Sequence, residues 1–322
     1  MNSGPDTIPK LLRNVVSTIH TKETTFLLYK SADTWQEISY QQTLDNADAI
    51  SSYFLDIGIQ KGDRIGFILD NSPEYIFYDQ ALQQIGGVNV SIYPTLSETE
   101  IEYILNDAGV KTLLVGNPFL LRKILKIANN CPNLIRVIPI FDDFEKHSSS
   151  KSINAGIISL SALIAQGKRC LETHKQALDS ARECVIPSDL SALIYTSGTT
   201  GVPKGVMLTH HNFVENVRAS LQQIPVIEKD DVFLSFLPLS HVFERTATYH
   251  VCITAGCKIA FSQSLELLAK NMTEVKPTVM SCVPRLLERI HDKAIKTGTQ
   301  DGGVEARIFL WAVETGKKYP DA

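Results

Sequence analysis

The sequence predicts an α/β fold in which helices flank a mostly parallel β-sheet. From residue 39 onward, amphipathic segments alternate with short apolar runs such as RIGFILD (64–70). A run that is apolar at almost every position is typical of a strand covered on both faces. Because strand–helix–strand units cross over in a right-handed sense, their assembly into one parallel sheet with helices on both sides is favoured.

Capping residues and glycines mark the helices of the first half of the chain. Capping pairs begin three helices, and the first two end at Gly58 and at Gly86–Gly87. The three pairs are Ser39 with Gln42, Ser72 with Pro73, and Ser97 with Glu100. The apolar runs between and after these helices predict four strands, which are RIGFILD, VNVSIYP, KTLLVG and LIRVIPI.

The middle of the chain interrupts this pattern. Residues 142–155 carry charge and a serine run without periodicity, which predicts an exposed loop, and weak helical signals follow to about residue 186. Strand signals then resume, with helices expected to start near His211, His241, Ser264 and Pro284; the five runs are LSALIYT, GVMLTH, VFLSFLPL, KIAFS and TVMSCVP. We therefore divide the chain into one subdomain over 1–188 and another over 189–322.

Composition narrows the class of protein. The 322 residues are 44% hydrophobic and carry a net charge of -4, so no basic face is expected for a nucleic acid. Six well-separated cysteines predict reduced, mostly buried thiols of an intracellular protein, and we favour a core role over zinc or a disulfide. The sequence shows neither a signal peptide nor a long apolar span, which predicts a cytoplasmic protein and leaves peripheral contact with a membrane open.

The stretch IYTSGTTGVPKGVMLTH (194–210) carries the clearest chemical signal. It fails the Walker pattern, because Pro203 precedes Lys204 and Gly205 follows it, and it contains no dinucleotide fingerprint. Yet a buried strand delivers small hydroxyl and glycine residues to its end, where backbone N–H groups can wrap phosphate oxygens and a lysine can add charge. From the residues alone, a phosphate loop and a solvated hairpin turn are about equally supported.

The motif YTSGTTGVPKG resembles the signature of the adenylate-forming enzymes, the superfamily of acyl-CoA synthetases, luciferases and peptide-synthetase adenylation domains. KGDRIGFILDNSPEY, LPLSHVFER and PTVMSCVPRLLERI resemble other segments of these enzymes, in the same order. VSIYPTLSETEIEYIL and LPLSHVFER look most like long-chain fatty acid CoA ligases. The resemblance covers nearly all of the chain from about residue 26, and it implies the stacked, mostly parallel sheets of the acyl-CoA synthetase N-terminal domain.

This resemblance implies a two-step reaction. A carboxylate attacks the α-phosphate of ATP to give an acyl-adenylate, and coenzyme A then displaces AMP, so ATP, Mg²⁺, a fatty acid and coenzyme A are the expected cofactors and partners. Within the loop, Thr196 matches the hydroxyl that helps coordinate Mg²⁺, and Thr199, Thr200 and Lys204 would face the β- and γ-phosphates. His241 matches the family histidine near the adenylate and the acyl pocket. The implied nucleotide-binding residues are Tyr195, Thr196, Ser197, Gly198, Thr199, Thr200, Gly201 and Lys204.

Neighbouring charged residues receive ordinary roles. Glu244 and Arg245 are expected to form a local ion pair or to lie on the surface, and we expect His210 and His211 to cap the next helix.

The 322 residues contain no Tyr-Gly-x-Thr-Glu segment, ribose-binding aspartate or C-terminal catalytic lysine of the family, so an incomplete, poorly active N-terminal portion is expected. Alternatives are another carboxylate, a carrier-protein acceptor, or a non-catalytic nucleotide- or acyl-binding module; the sequence does not define the oligomeric state.

Overall fold

The computed structural model describes residues 4–18, 23–141, 156–157, 160–197, 202–300 and 302–318. They form two compact units, residues 1–280 and 281–322. The strands are β1 (Thr25–Ser31), β2 (Thr34–Ser39), β3 (Arg64–Ile68), β4 (Val88–Ser91), β5 (Thr112–Val115), β6 (Arg136–Pro139), β7 (Gly156–Ile157), β8 (Leu190–Ser197), β9 (Pro203–Thr209), β10 (Val232–Ser235) and β11 (Lys258–Phe261).

The helices separate these strands along the chain. In the larger unit they are α1 (Ile8–Thr18), α2 (Tyr40–Asp56), α3 (Pro73–Gln84), α4 (Glu98–Asp107), α5 (Pro118–Ile127), α6 (Leu160–Glu183), α7 (His210–Gln223), α8 (Val242–Glu244), α9 (Val251–Ala255) and α10 (Leu268–Val275). A π-helical segment, Arg245–His250, joins α8 to α9. The smaller unit contains α11 (Pro284–Thr299) and α12 (Gly303–Gly316).

Two stacked sheets confirm the predicted α/β class. The larger sheet has the order β7-β6-β5-β3-β4-β8-β9. All its neighbours run parallel except β9, which is antiparallel to β8. The smaller sheet has the order β10-β11-β1-β2, in which β1 and β2 form an antiparallel hairpin that the sequence did not predict. Strands from both sides of residue 188 therefore share each sheet, and the boundary at that residue stays a prediction.

Helix α3 lies within the main hydrophobic core. All of its residues except Glu74 are buried, as expected of a helix packed on every side. The same core includes Phe67 and Ile194 of the larger sheet together with Phe26 and Ile259 of the smaller sheet. The core thus connects the two sheets, and it fixes the ends of their strands relative to each other.

Most of the predicted helix starts are confirmed in detail. Ser39 with Gln42 and Ser97 with Glu100 form complete capping boxes on α2 and α4. Ser72 precedes α3 as expected, but its side chain makes no capping hydrogen bond, and Pro73 alone marks that start. The serine hydroxyl is therefore not needed to begin a helix that tertiary packing already encloses.

Other expectations need correction or fall outside the description. TVMSCVP is not a strand; Val279 makes one isolated bridge to Phe233. Residues 142–155 lie outside the described residues. All six cysteines are free, but only Cys131, Cys252 and Cys257 are buried, so the expectation of mostly buried thiols holds for half of them.

The smaller unit is a pair of packed helices. A Cβ atom on Gly298 would lie 2.6 Å from the Phe309 ring, so the helices approach closely where that glycine stands.

In the described part of the chain, no helix combines the length and the apolar character needed to cross a bilayer.

Candidate active site

The carboxyl ends of four parallel strands line one cavity. Ligands of open α/β sheets bind beyond these ends, because the loops there are free to carry functional groups. The segments that follow β3, β4, β10 and β11 enclose about 320 Å³, with contributions from both sheets. Polar and aromatic residues of this lining include Asn71, Tyr93, Thr95, Phe236 and Gln263.

Asn71 holds the two sheets together beside this cavity. Its amide nitrogen donates to the Ser235 hydroxyl at 3.0 Å and to the Leu237 carbonyl at 2.6 Å. Its amide oxygen accepts from the Leu239 N–H at 2.8 Å. One side chain from the β3 loop thereby fixes the segment that leads to His241, and we assign Asn71 a positioning role.

His241 stands at the start of α8. Its Nδ1 accepts a hydrogen bond from the Phe243 N–H at 3.1 Å, so the neutral ring carries its proton on Nε2. The ring is exposed and meets the Tyr93 ring edge-on, with centroids 6.4 Å apart. The histidine thus caps the helix and still presents an N–H donor. Direct contact of His241 with substrate stays a prediction.

The loop strand β8 and the following strand β9 place Thr196 and Lys204 opposite each other. Their Cα atoms are partners in the antiparallel register, so both side chains project from the same face of the hairpin. Both are exposed, and among the described residues neither side chain makes a hydrogen bond or ion pair. Strand β8 is parallel to β4, so this hairpin leaves the sheet at the same edge as Tyr93.

Tyr195 occupies a different position from its neighbours. Its ring is buried in the second hydrophobic cluster, and its hydroxyl donates to Asp107 at 2.5 Å. Burial, followed by this hydrogen bond, raises the pKa of Tyr195. A Cβ atom on Gly205 would lie 3.1 Å from the ring, so the absence of a side chain there gives the ring its space. Tyr195 anchors the hairpin, whereas a direct contact with nucleotide stays a prediction.

The remaining loop residues are not described structurally. Gly198, Thr199, Thr200 and Gly201 lie outside the described residues, and for Ser197 only the backbone position at the end of β8 is described. Their phosphate contacts stay predictions from the motif.

A second, larger cavity of about 650 Å³ lies between β9, α7 and α8. Its lining combines apolar side chains such as Met207, Phe213, Val242 and Phe243 with polar ones from Asn212, Asn216, Ser220 and Thr246. The apolar part of this lining suits a ligand with a hydrocarbon part. Because Val242 and Phe243 directly follow His241, this cavity adjoins the predicted site.

The residues after His241 are buried, which corrects the expected surface role. Arg245 and Asp79 of α3 form an ion pair of 2.5 Å, and both side chains are fully buried. Asp79 also accepts from Asn89 and Gln83. Glu244 is fully buried as well and accepts from the Ser235 hydroxyl at 2.7 Å. An ion pair was expected, but its partner comes from a distant helix.

The predicted capping role of His210 and His211 is also wrong. Thr209 is the N-cap of α7 and forms a capping box with Asn212. His210 is buried, and its Nδ1 accepts from the Ile8 N–H at 3.3 Å. Burial lowers the pKa of His210 to about 4, consistent with a ring that must stay neutral to accept this bond.

The ionisation of Glu244 gives a pH-dependent prediction. Burial raises the pKa of this carboxyl to about 7, so the folded protein holds a proton that the unfolded chain releases at lower pH. Folding is therefore penalised as pH rises through the interval between about 4.5 and 7. In Glu244→Gln, we expect the free energy of unfolding, relative to wild type, to increase by up to about 3 kcal/mol between acidic and mildly basic pH.

Urea unfolding at a series of pH values measures this difference. His210 is present in both proteins, so its own titration cancels. Glu266→Gln is the control, since hydrogen bonding to Ser264 lowers the pKa of that exposed carboxyl and predicts the opposite sign. A pH-independent difference for Glu244→Gln would show that the carboxyl is not held protonated.

The fold and the strand-end cavity together define an α/β protein with a candidate ligand site, and comparison with known proteins identifies its family. A family model described as AMP-binding enzyme matches residues 17–313. The chain belongs to this family, which confirms the resemblance to adenylate-forming enzymes.

Curated relatives agree with this assignment. Fatty acyl-CoA synthetase A of Dictyostelium discoideum is 32% identical over 86% of this chain. Long-chain-fatty-acid CoA ligase 5 of Rattus norvegicus is 36% identical over 80% of it. The chain spans only 40% and 38% of these two relatives, respectively.

Solved structures support the fold. A long-chain-fatty-acid-CoA ligase from Archaeoglobus fulgidus has a TM-score of 0.74 at 21% identity, covering 92% of this chain and 55% of that one. The adenylation domain of a carboxylate reductase from Mycobacterium chelonae has a TM-score of 0.76 at 20% identity, covering 96% and 51%. The stacked arrangement of sheets is therefore that of adenylating enzymes.

Sequence reasoning missed several residues that build this site. Asn71 lies in the motif KGDRIGFILDNSPEY, and its place just after a buried strand was an available signal. Tyr93 likewise follows β4. Asp79 gave no signal, because a carboxylate within a helical segment of the sequence resembles any solvated residue until its partner is known.

Proposed function

We propose that this chain forms the ATP- and acyl-binding part of an AMP-forming long-chain fatty acid CoA ligase. The observation that carries the proposal is the pairing of Thr196 and Lys204, exposed and without partners among the described residues, on one face of the β8–β9 hairpin. A hydroxyl and a cation placed at the end of a buried strand suit phosphate oxygens. The names of the relatives support the choice of fatty acid and coenzyme A.

The acyl chain is assigned to the cavity of about 650 Å³ beside α8. Burying each methylene group there contributes about 0.8 kcal/mol, so a long chain gains more than a short one as long as the cavity continues. Met207 and Phe243, which are 70% and 43% exposed, lie in its lining, and a bound chain would cover their apolar surface. This supports a fatty acid as the carboxylate.

The chemistry then divides between two displacements. A carboxylate oxygen attacks the α-phosphorus of ATP, and the bond to the bridging oxygen breaks to release pyrophosphate. The coenzyme A thiol next loses its proton to solvent, its sulfur attacks the acyl carbon, and AMP departs with the electron pair of the bond between that carbon and the phosphate oxygen. Lys204 would stabilise charge on the departing phosphates, and the Nε2–H of His241 would donate to the adenylate.

Mg²⁺ fits this site as part of a nucleotide complex. Thr196 offers one neutral oxygen, and Mg²⁺ commonly takes one or two protein ligands with phosphates and waters completing its shell. When bound, the ion would neutralise phosphate charge during displacement.

We also propose that the 322 residues alone turn over poorly. The sequence lacks the Tyr-Gly-x-Thr-Glu segment, and the chain spans less than half of the relatives' length. Robust pyrophosphate release by these residues with ATP, Mg²⁺ and palmitate would contradict this expectation of poor turnover.

We also propose a cytoplasmic location, with contact at a membrane surface left open.

Product trapping tests the function. A protein that contains this chain in its longer form is supplied with ATP, Mg²⁺ and palmitate, followed by coenzyme A or a holo carrier protein. We expect palmitoyl-CoA. Exclusive transfer to the carrier protein would favour the second candidate, an adenylating enzyme with a phosphopantetheine acceptor. This candidate is kept because the chain shares its fold with the adenylation domain of a carboxylate reductase. Nucleotide binding without any adenylate would indicate a binding module.

A further inference from the structure

A cysteine, a histidine and an aspartate from two helices meet on the surface of the larger unit. Cys170 and His174 lie four residues apart on α6, and Asp56 is the last residue of α2. One ligand atom from each lies within 4.8 Å of the other two. We propose that these three side chains form a Zn²⁺ site that links α2 to α6.

The spacing of the ligand atoms is compatible with a bound metal ion. His174 Nε2 lies 3.4 Å from Asp56 Oδ1, which is long for a nitrogen–oxygen hydrogen bond. Zn–N and Zn–O bonds of about 2.0–2.2 Å at a tetrahedral angle place the two ligand atoms about 3.4 Å apart. The observed spacing therefore equals one edge of a zinc tetrahedron.

The surrounding groups orient the ligands. Gln166, one turn before Cys170 on the same face of α6, donates to Asp56 Oδ2 at 3.1 Å. This bond holds one carboxylate oxygen and leaves Oδ1 toward His174, as outer hydrogen bonds do in zinc sites. Asp56 also ends α2, where the helix dipole disfavours an anion, so a cation there would remove an electrostatic cost.

The types of ligand atom indicate which metal ion binds. A thiolate is a poor ligand for Mg²⁺ or Ca²⁺, whereas sulfur, imidazole and carboxylate together suit Zn²⁺. Binding releases the thiol proton of Cys170, and the charges of thiolate, carboxylate and Zn²⁺ then sum to zero. Cys170 and His174 are partly exposed, which gives the ion access and leaves the fourth position to water. The site is independent of the residues assigned to the ligase function.

Cobalt substitution tests the site directly. The chain is first treated with a chelator and then titrated with Co²⁺; we expect thiolate-to-cobalt charge-transfer absorption and the intense visible bands of a tetrahedral complex. Zn²⁺ should abolish both at one equivalent. Wild-type protein without a charge-transfer band would overturn the proposal.

Substitutions of the ligand residues test which side chains bind the metal ion. We expect Cys170→Ser and His174→Gln each to weaken binding more than about 100-fold, and Gln166→Ala, which removes only the orienting bond, about 10-fold. Cys184→Ser and His211→Gln are matched controls at exposed positions and should bind as wild type. Unchanged affinity in either ligand variant, with circular dichroism showing a folded protein, would refute the site.

Discussion

Replacing Arg245 by methionine will lower the free energy of unfolding by about 3–5 kcal/mol. The change removes the guanidinium that lies 2.5 Å from Asp79, and both side chains are fully buried. The Asp79 carboxylate would then be left in the core without a charged partner within reach among the described residues. Water cannot solvate it there, so the folded state bears the cost of burying that charge.

A double variant separates the charge from the packing. Asp79→Asn combined with Arg245→Met keeps an acceptor for the amides of Asn89 and Gln83 but buries no charge, so most of the loss should be recovered. Lys111→Met is the matched control, because its ion pair with Asp63 is exposed and should change stability by at most about 1 kcal/mol.

The measurement can be confined to the larger unit. The chain has two tryptophans, Trp35 in β2 and Trp311 in α12. In a Trp311→Phe background, the urea-induced change in fluorescence reports on Trp35 alone. A loss for Arg245→Met no greater than that of the Lys111 control would mean that the buried pair contributes little beyond packing.

The regular βα units could be predicted because their information is local. Apolar runs, capping pairs and glycines lie within the elements they define, and β3, β4, β5 and β8 all appear where the sequence places them. The β1–β2 hairpin was missed because its strands are partly exposed and pair through a turn at Ala32 and Asp33, which carries neither glycine nor proline. The strand predicted for TVMSCVP is absent, because an apolar run forms a strand only where a neighbouring strand can pair with it.

The candidate site was predictable only in part. Thr196, Lys204 and His241 came from motif resemblance, and the structure adds the cross-strand pairing of the first two. The burial of Arg245 depends on contacts more than 150 residues away in sequence, such as that with Asp79, and that of Glu244 on packing rather than on its bond to nearby Ser235. The cluster of Cys170, His174 and Asp56 was likewise not predicted, since Asp56 belongs to another helix.

Lys204→Met, in a protein that contains this chain and forms acyl-adenylate, will slow adenylation by about 10²–10³-fold. The ammonium group has no internal partner among the described residues, so its removal should leave the fold intact and act on substrate charge alone. Because charge on the leaving pyrophosphate grows during the displacement, the loss should fall mainly on kcat, with a smaller change in KM for ATP. Lys204→Arg should rescue only partly, since a planar guanidinium replaces a compact charge.

Single-turnover formation of the acyl-adenylate, followed by rapid quenching, isolates this step from transfer to coenzyme A. Thr196→Ala should also slow adenylation and raise the Mg²⁺ concentration required, a dependence that loss of the cation at Lys204 should not reproduce. Lys126→Met and Thr34→Ala are the matched controls, because both residues are exposed on elements outside the hairpin. Equal single-turnover rates for wild type and Lys204→Met would exclude the lysine from the chemistry, and the Thr196–Lys204 pair would then be only an exposed feature of the hairpin.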